Sequence, residues 1–262
     1  MNVFILVTNR QPELNPGSVM VFDTLRKGFP TANINVTLNS GIQERENRQA
    51  FEGVSRAIDK LAKAGPTSIQ IGPIQKTIHH DWIAGLIANE TEPFFICDTD
   101  VVFWDNFEQF DFSEQFIAGR RIPQWRDEFT ACVTRPRLHT SLLYIDPVAV
   151  RREVQTYFSK FPKTPFNPFT NLVDPLCVPF KSETYFYDTM SMMYHAIGGT
   201  RFNDWQLDCY DHMNFGTIED VVLPHLKDGE AAKAFRDEVY KHPSKAKGMW
   251  RHQEKYYADR VA

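Results

Sequence analysis

The sequence predicts an α/β fold in which a Rossmann-like sheet is flanked by helices, and three observations carry the prediction. Short apolar runs with β-branched residues recur through the first third, at Val3 to Val7, Ile34 to Leu38 and Ile69 to Ile71, each the length of a sheet strand. Between them lie segments with apolar residues at three- and four-residue steps, the spacing that covers one face of a helix. Finally, Phe94-Phe95-Ile96-Cys97 is apolar throughout and ends on Asp98-Thr99-Asp100, the pattern of a buried parallel strand with a polar end. Open α/β sheets bind ligands in the crevice outside such strand ends.

Composition sets the bounds. The chain has 262 residues, 42% hydrophobic and 24% charged, enough to bury a large core as one domain or two fused halves. A formal net charge of −4 and a pI near 6.1 give no global attraction to nucleic acid or anionic membrane, leaving a local basic patch as the open case. The N-terminus lacks a basic leader and a small-residue cleavage site, and no run approaches membrane-spanning length, so no signal peptide or transmembrane segment is expected. Cys97, Cys132, Cys177 and Cys209 are widely spaced with no Cys-x-x-Cys pair. A reducing, cytoplasmic location is the expectation.

In chain order, Val3 to Val7 is the first strand. The loop after it faces the ligand crevice in a doubly wound sheet, which makes Thr8, Asn9 and Arg10 candidates for a nucleotide base, ribose or phosphate, with a plain polar loop as the alternative. Ser18 to Lys27 reads as a helix stopped by Gly28 and Pro30, Ile34 to Leu38 as the second strand, Glu44 to Ala64 as a long amphipathic helix, and Ile69 to Ile71 as a third strand. Ile78 to Ala88 is the helix that leads into Phe94. His79, His80 and Asp81 at its start do not read as a metal site, since adjacent helical side chains point about 100° apart. Asp81 complements the helix dipole, and a contact from this helix to a nucleotide is a secondary expectation.

Asp98 and Asp100 alternate with Thr99, so in extended backbone both carboxylates leave the same face. That is a clamp for a hard divalent ion, which takes oxygen ligands and keeps positions for phosphate oxygens. The cargo expected of such a clamp is a nucleotide diphosphate. The alternative is a solvated turn after a core strand.

The second half carries the candidates for acceptor chemistry. Phe116 to Gly119 reads as a short strand, followed by the arginines of Arg120-Arg121-Ile122-Pro123-Gln124-Trp125-Arg126 and Arg135-Pro136-Arg137. These suit an anionic or sugar-rich acceptor, or form a solvated loop paired to Asp127 and Glu128. Thr140 to Pro147 is a strand leading into a helix over Val148 to Phe161, and Pro162 to Pro179, with five prolines, is an irregular lid or acceptor loop. Glu183 to Thr189 opens a helix that runs to Ile197 and stops at Gly198-Gly199. Asp188 is then an N-cap or first-turn residue, or a carboxylate that accepts a proton from an acceptor hydroxyl, with Glu183 in reserve. His212, after a strand-like segment and before Gly216, is the candidate third metal ligand. The basic tail from Lys241 to His252, with Lys247 and Trp250, either folds over a diphosphate or is a solvated end.

The apolar strand, Asp98-Thr99-Asp100, Val101-Val102-Phe103 and the later His212 with Gly216 together resemble a nucleotide-sugar-dependent glycosyltransferase of the GT-A fold, the DxD family. The resemblance implies a mixed sheet flanked by helices in a single domain, residues 1–262, of two abutting halves: 1–105 binding the donor nucleotide, 106–240 the acceptor, and 241–262 the basic tail. It implies that Asp98, Asp100 and His212 hold Mn²⁺ or Mg²⁺ against the donor diphosphate, a UDP-sugar being favoured. It also implies that Lys247-Gly248-Met249-Trp250 is similar to a diphosphate-clamping tail, although it lies much farther from His212 than in that family. The acceptor would be a glycan, a lipid-linked saccharide or, as in some phage enzymes, a hydroxymethylated DNA base, and inversion and retention both stay open.

Two other classes compete. A nucleotidyltransferase also uses carboxylates and a divalent ion but typically has a Gly-rich basic loop after its first strand, a pattern absent from Thr8 to Gly17. A non-catalytic nucleotide- or sugar-binding protein would bind donor without transfer.

Overall fold

In the computed structural model, which describes residues 1–7, 20–39, 59, 62, 69–71, 77–126, 132–161, 172–213 and 229–260, the first apolar run forms strand β1 (Asn2–Val7), buried from Val3 onward. Helix α1 (Val21–Gly28) buries Val21, Phe22 and Leu25 at helical spacing. Strand β2 (Asn33–Leu38) lies parallel to β1, with Val3 opposite Ile34. The helix expected over 44–64 falls outside the described residues except for Asp59 and Ala62, both helical. Strand β3 (Ile69–Ile71) adds parallel to β2. Helix α2 (His79–Asn89) buries Trp82, Ile83, Ala84 and Ile87, and it delivers the chain to β4 (Phe94–Cys97), buried at every residue. The chain then turns through Asp98 and Thr99 into β5 (Val101–Phe103).

Beyond β5, strand β6 (Ile117–Ile122) runs through Arg120 and Arg121, so the arginine segment begins inside the sheet, not in a loop. Short strands β7 (Trp125–Arg126) and β8 (Val133–Thr134) precede the long β9 (Arg137–Ile145). Helix α3 (Pro147–Lys160) starts where the sequence signals it: Asp146 caps it by accepting from the Ala149 N–H, and Pro147 takes a first-turn place that needs no donor. The described part of the proline-rich segment contains the short helix α4 (Asp174–Cys177). Residues 162–171 lie outside the described residues.

The stretch expected to open a helix at Glu183 is instead a hairpin, β10 (Phe180–Lys181) and β11 (Tyr185–Tyr187), and helix α5 is only Ser191–Ile197. Three consecutive aromatic residues favour a pleated surface over a helix, where their χ1 freedom would be lost. After α5 come β12 (Thr200–Arg201), helix α6 (Asp204–Asp208) with a reciprocal Asn203 and Gln206 capping box, and β13 (Tyr210–His212). Helix α7 (Gly229–Lys241), a 3-10 turn (Pro243–Ala246) and helix α8 (Trp250–Ala258) close the described chain.

The principal sheet has seven strands in the order β12-β6-β9-β4-β1-β2-β3. Its β4-β1-β2-β3 portion is parallel, while β9 runs antiparallel to both neighbours. The sheet is therefore mixed, as expected. Alternate residues of its central strands face two cores: Val3, Ile5, Phe95 and Cys97 meet α1, Phe103 and Tyr210 on one side, while Phe4, Leu6, Phe94 and Ile96 meet α2, α3 and α5 on the other. Among the described residues no helix is long and apolar enough to cross a membrane. The four cysteines are buried thiols, none of them in a disulfide.

The register between β6 and β9 breaks at one place. Gly119 pairs with Leu143 and Arg121 with Leu138, so residues 139–142 of β9 stand opposite Arg120 alone. Such a bulge re-aims side chains and is concentrated near functional sites.

Gly28 is a close-approach position: a Cβ there would lie 2.3 Å from Phe103 Cδ1 and 2.4 Å from Cγ. Its carbonyl also accepts from Phe107 N–H at 2.7 Å. Gly28→Ala should destabilise the protein by about 1–3 kcal/mol through overpacking, read as a lowered urea midpoint at constant slope. An unchanged midpoint would mean that the Phe103 ring yields freely.

Candidate metal centre

The turn after β4 is tied down at each residue. Asp98 N–H donates to Ser141 O of β9 at 2.8 Å, Thr99 O accepts from Val21 N–H of α1 at 2.9 Å, and Asp100 O accepts from Met213 N–H at 2.9 Å. β5 pairs antiparallel with β13, placing His212 opposite Val101. His212 Nε2 thereby comes to 3.1 Å from Asp100 Oδ1. Asp98, Asp100 and His212 each offer a ligand atom, and these atoms lie within 4.8 Å of one another. His212 is buried, and its Nδ1 has no hydrogen-bond partner among the described residues. Two carboxylate oxygens and one imidazole nitrogen form a donor set that fits Mn²⁺ or Mg²⁺, so the residues present suit the cation that the sequence implies.

Two further histidines stand beside the cluster: His79, which helical spacing sets aside as a metal ligand, and His139, which the sequence did not mark. His79, at the start of α2, places Nε2 3.7 Å from Asp98 Oδ1 and stacks on Trp82. His80 turns instead to Asp81 at 3.4 Å, so the three residues do not share one ligand face. The His139 ring centroid is 4.9 Å from that of His212. His139 Nδ1 accepts from the Ser141 N–H at 3.1 Å, which puts the proton on Nε2. Burial, then the Arg120 cation, hold this imidazole well below the usual histidine range and keep it neutral.

Asp211 is the other missed residue. Alternation along β13 turns it away from His212, and it is 1% exposed. Its Oδ2 accepts from Trp104 Nε1 and from Gly248 N–H, both at 2.7 Å, and its Oδ1 from Trp250 N–H at 3.1 Å. Burial pushes its carboxyl up to about 6, against the pull of these donors. The tail is therefore docked. Trp250 is buried in the core, donates Nε1 to Asp208 Oδ1 at 3.0 Å and carries the Arg251 guanidinium over its ring at 4.3 Å. Lys247 is exposed, near enough to Asp208 to help hold that carboxylate below its usual range after Arg251 and Trp250 have done so.

The remaining candidates are dispersed. Asp188 is ion-paired with Arg137, and its Oδ1 accepts from Thr189 N–H at 2.7 Å. It precedes Met190, the residue that caps α5 with a left-handed φ of 68°, so Asp188 is not itself the cap. Glu183 is exposed in the turn between β10 and β11. Arg135 lies over the Tyr185 ring at 5.0 Å and donates to Gln124 Oε1 at 3.2 Å. Thr8, Asn9, Arg10 and Gly216, and with them Asp127 and Glu128, lie outside the described residues.

No protein-family model matches this chain, and no curated protein does. Among solved structures it is similar to a mannosyltransferase from Pyrobaculum calidifontis in complex with GDP-Man and Mn²⁺, at 10% identity and a TM-score of 0.36, covering 72% of this chain and 56% of that one. It is similar also to the glycosyltransferase GlyE of Streptococcus pneumoniae TIGR4, at 13% identity and a TM-score of 0.43, covering 91% and 50%. A third is HddC from Yersinia pseudotuberculosis, at 11% identity and a TM-score of 0.31, covering 75% and 97%. The chain thus matches only about half the length of the two transferases.

Asp211→Asn keeps the shape but removes an acceptor for at least one of three N–H groups. It should cost about 1–3 kcal/mol and speed tryptic cleavage at Lys245 and Lys247. Unchanged protection would show that Trp250 packing alone holds the tail.

Proposed function

We propose that this protein is a metal-dependent glycosyltransferase that moves a sugar from a nucleotide-diphosphate donor, a UDP-sugar by preference, to a saccharide hydroxyl. The observation that carries this reading is the convergence of Asp98, Asp100 and His212 at the carboxyl end of β4, where an open α/β sheet receives a nucleotide. Asp98 and Asp100 hold Mn²⁺ or Mg²⁺ through carboxylate oxygens and His212 through a ring nitrogen. The cation, when bound, offsets the charge that gathers on the departing diphosphate.

The backbone anchors of residues 98–100 keep the carboxylates at a fixed separation, so little reorganisation is needed when charge develops. Thr8, Asn9, Arg10 and the Thr99 peptide are assigned to the nucleotide, and exposed Lys247 to the diphosphate. Trp250 supports Lys247 from within the core. On the acceptor side, Asp188 is assigned to the incoming hydroxyl and Arg137 orients it, with Glu183 in reserve. The four buried cysteines, present as thiols, support a reducing, cytoplasmic setting.

A ligand that binds only the folded state raises its stability, by about 2.7 kcal/mol at a hundredfold excess over Kd. A thermal-shift panel of UDP, GDP, CDP and their sugars should therefore show a shift with one base that requires Mn²⁺ and vanishes with chelator. Asp100→Asn should retain the fold, lose the Mn²⁺-dependent part of that shift, and lower transfer by more than the roughly 10–100-fold typical of losing an outer-sphere partner. Transfer that persists in chelator would refute the metal role. His212→Ala should weaken Mn²⁺ binding without changing acceptor affinity, and an unaltered Mn²⁺ requirement would return His212 to a packing role.

A further inference from the structure

Arg120 is the only buried arginine or lysine among the described residues, at 1% exposure. Its Nε and Nη2 are buried and have no hydrogen-bond partner among those residues. Asp211 lies within electrostatic reach of it, but accepts instead from Trp104, Gly248 and Trp250. Tyr210, also within its reach, leaves its own hydroxyl buried and unpartnered. A desolvated guanidinium with idle donors is costly, and unsatisfied buried groups of this kind collect where a ligand completes them.

Its position points to the same opening as the metal centre. β6 and β4 are both antiparallel to β9, so they run parallel to each other and their carboxyl ends share one edge of the sheet. The four residues of β9 opposite Arg120 carry His139 against His212 and Ser141 O to the Asp98 N–H. His139 Nδ1 accepts from the Ser141 N–H, which leaves its Nε2 side as the donor in this neighbourhood. β6 lies two strands from β4, about 10 Å at the usual spacing. A sugar held through its diphosphate on the aspartate pair would have to extend toward β6 for its far side to meet Arg120.

We propose that Arg120 forms the floor of an anion subsite that receives the carboxylate of a uronic-acid donor sugar through its forked N–H groups. The inference rests on the glycosyltransferase reading and adds to it the class of sugar. Arg matches a carboxylate in two-point geometry, and a neutral sugar would leave those donors buried and idle. A site built to hydrogen-bond a substrate group discriminates strongly against the analogue that lacks it.

The test compares UDP, UDP-glucose and UDP-glucuronate, and the GDP, GDP-mannose and GDP-mannuronate set, each with Mn²⁺, by calorimetry and thermal shift. Wild type, Arg120→Met and Arg120→Lys are measured in parallel. Wild type should bind the uronate at least about 30-fold more tightly than the neutral sugar. Arg120→Met should melt no lower than wild type without ligand, since it removes an unpaired charge, and should lose the uronate preference while keeping its affinity for the bare diphosphate. Arg120→Lys should recover the preference only in part. Equal binding of both sugars by wild type, or a preference that survives Arg120→Met, overturns the proposal. So does an equal loss across all three ligands, which would assign the guanidinium to the diphosphate. The absence of any Mn²⁺-dependent nucleotide shift overturns the glycosyltransferase reading, and this inference with it.

Discussion

The pairing of β5 with β13 is the interaction on which the candidate site depends. Neither three-residue strand could stand alone. Each gains a neighbour from the other, and the ladder continues through the Trp104 and Asp105 N–H groups to the Cys209 carbonyl. Helix α1 braces it, with the Thr24 hydroxyl accepting from the Phe103 N–H at 2.9 Å. The period of two then divides the work of β13: His212 turns to the aspartates and Asp211 to the tail. A slip of one residue would exchange those two side chains and dismantle both arrangements together.

Several of the unsatisfied buried polar atoms gather in the same region. Elsewhere some buried polar groups are paired, as in the reciprocal cap of Asn203 and Gln206 or the Asp146 cap of α3, while others, such as Arg26 Nε and Nη2, Thr134 Oγ1 and Ser191 Oγ, lack partners among the described residues. Around β13 and the break in β9, His212 Nδ1, His79 Nε2, the Tyr210 hydroxyl and two Arg120 nitrogens lack hydrogen-bond partners among the described residues. Each such atom costs stability, the Tyr210 hydroxyl most plainly, since its ring packs among Phe103, Phe107 and Phe202. Part of the stability is conceded in this neighbourhood, a common feature of binding sites.

Much of the sheet was legible because its strands obey simple rules. Val3 to Val7 and Phe94 to Cys97 are continuous apolar runs, and Asp146-Pro147 is a helix start written in residue types. The aspartate pair was legible as residue types after a buried strand, but not its geometry: Asp98 to Asp100 form a turn and not extended strand, so the turn, and not strand alternation, brings their carboxylates near each other. What escaped the sequence depends on non-local geometry or breaks a local rule. Arg120 lies in a strand that continues through an Arg-Arg pair, where residue types alone signal its end. His139 acquires its neighbour only through a register break between β6 and β9, and His79 approaches Asp98 only because α2 packs beside the end of β4. The aromatic triplet at Tyr185 did carry a strand signal, but the apolar helical spacing after it drew the helix boundary too early. Asp211 sits beside a residue that was singled out, yet its role is set by N–H groups nearly forty residues later.

Those late partners bear on how the chain matures. During synthesis the two aspartates emerge well before His212, and His212 emerges before the segment whose N–H groups secure Asp211 behind it. A nascent chain that has released β4 holds a pair of like charges with no third ligand and no docked tail. The proposed cation site is thus complete only once both later segments have been made, and a chain interrupted after β13 has the three candidate ligands but not the N–H groups that secure the strand carrying one of them.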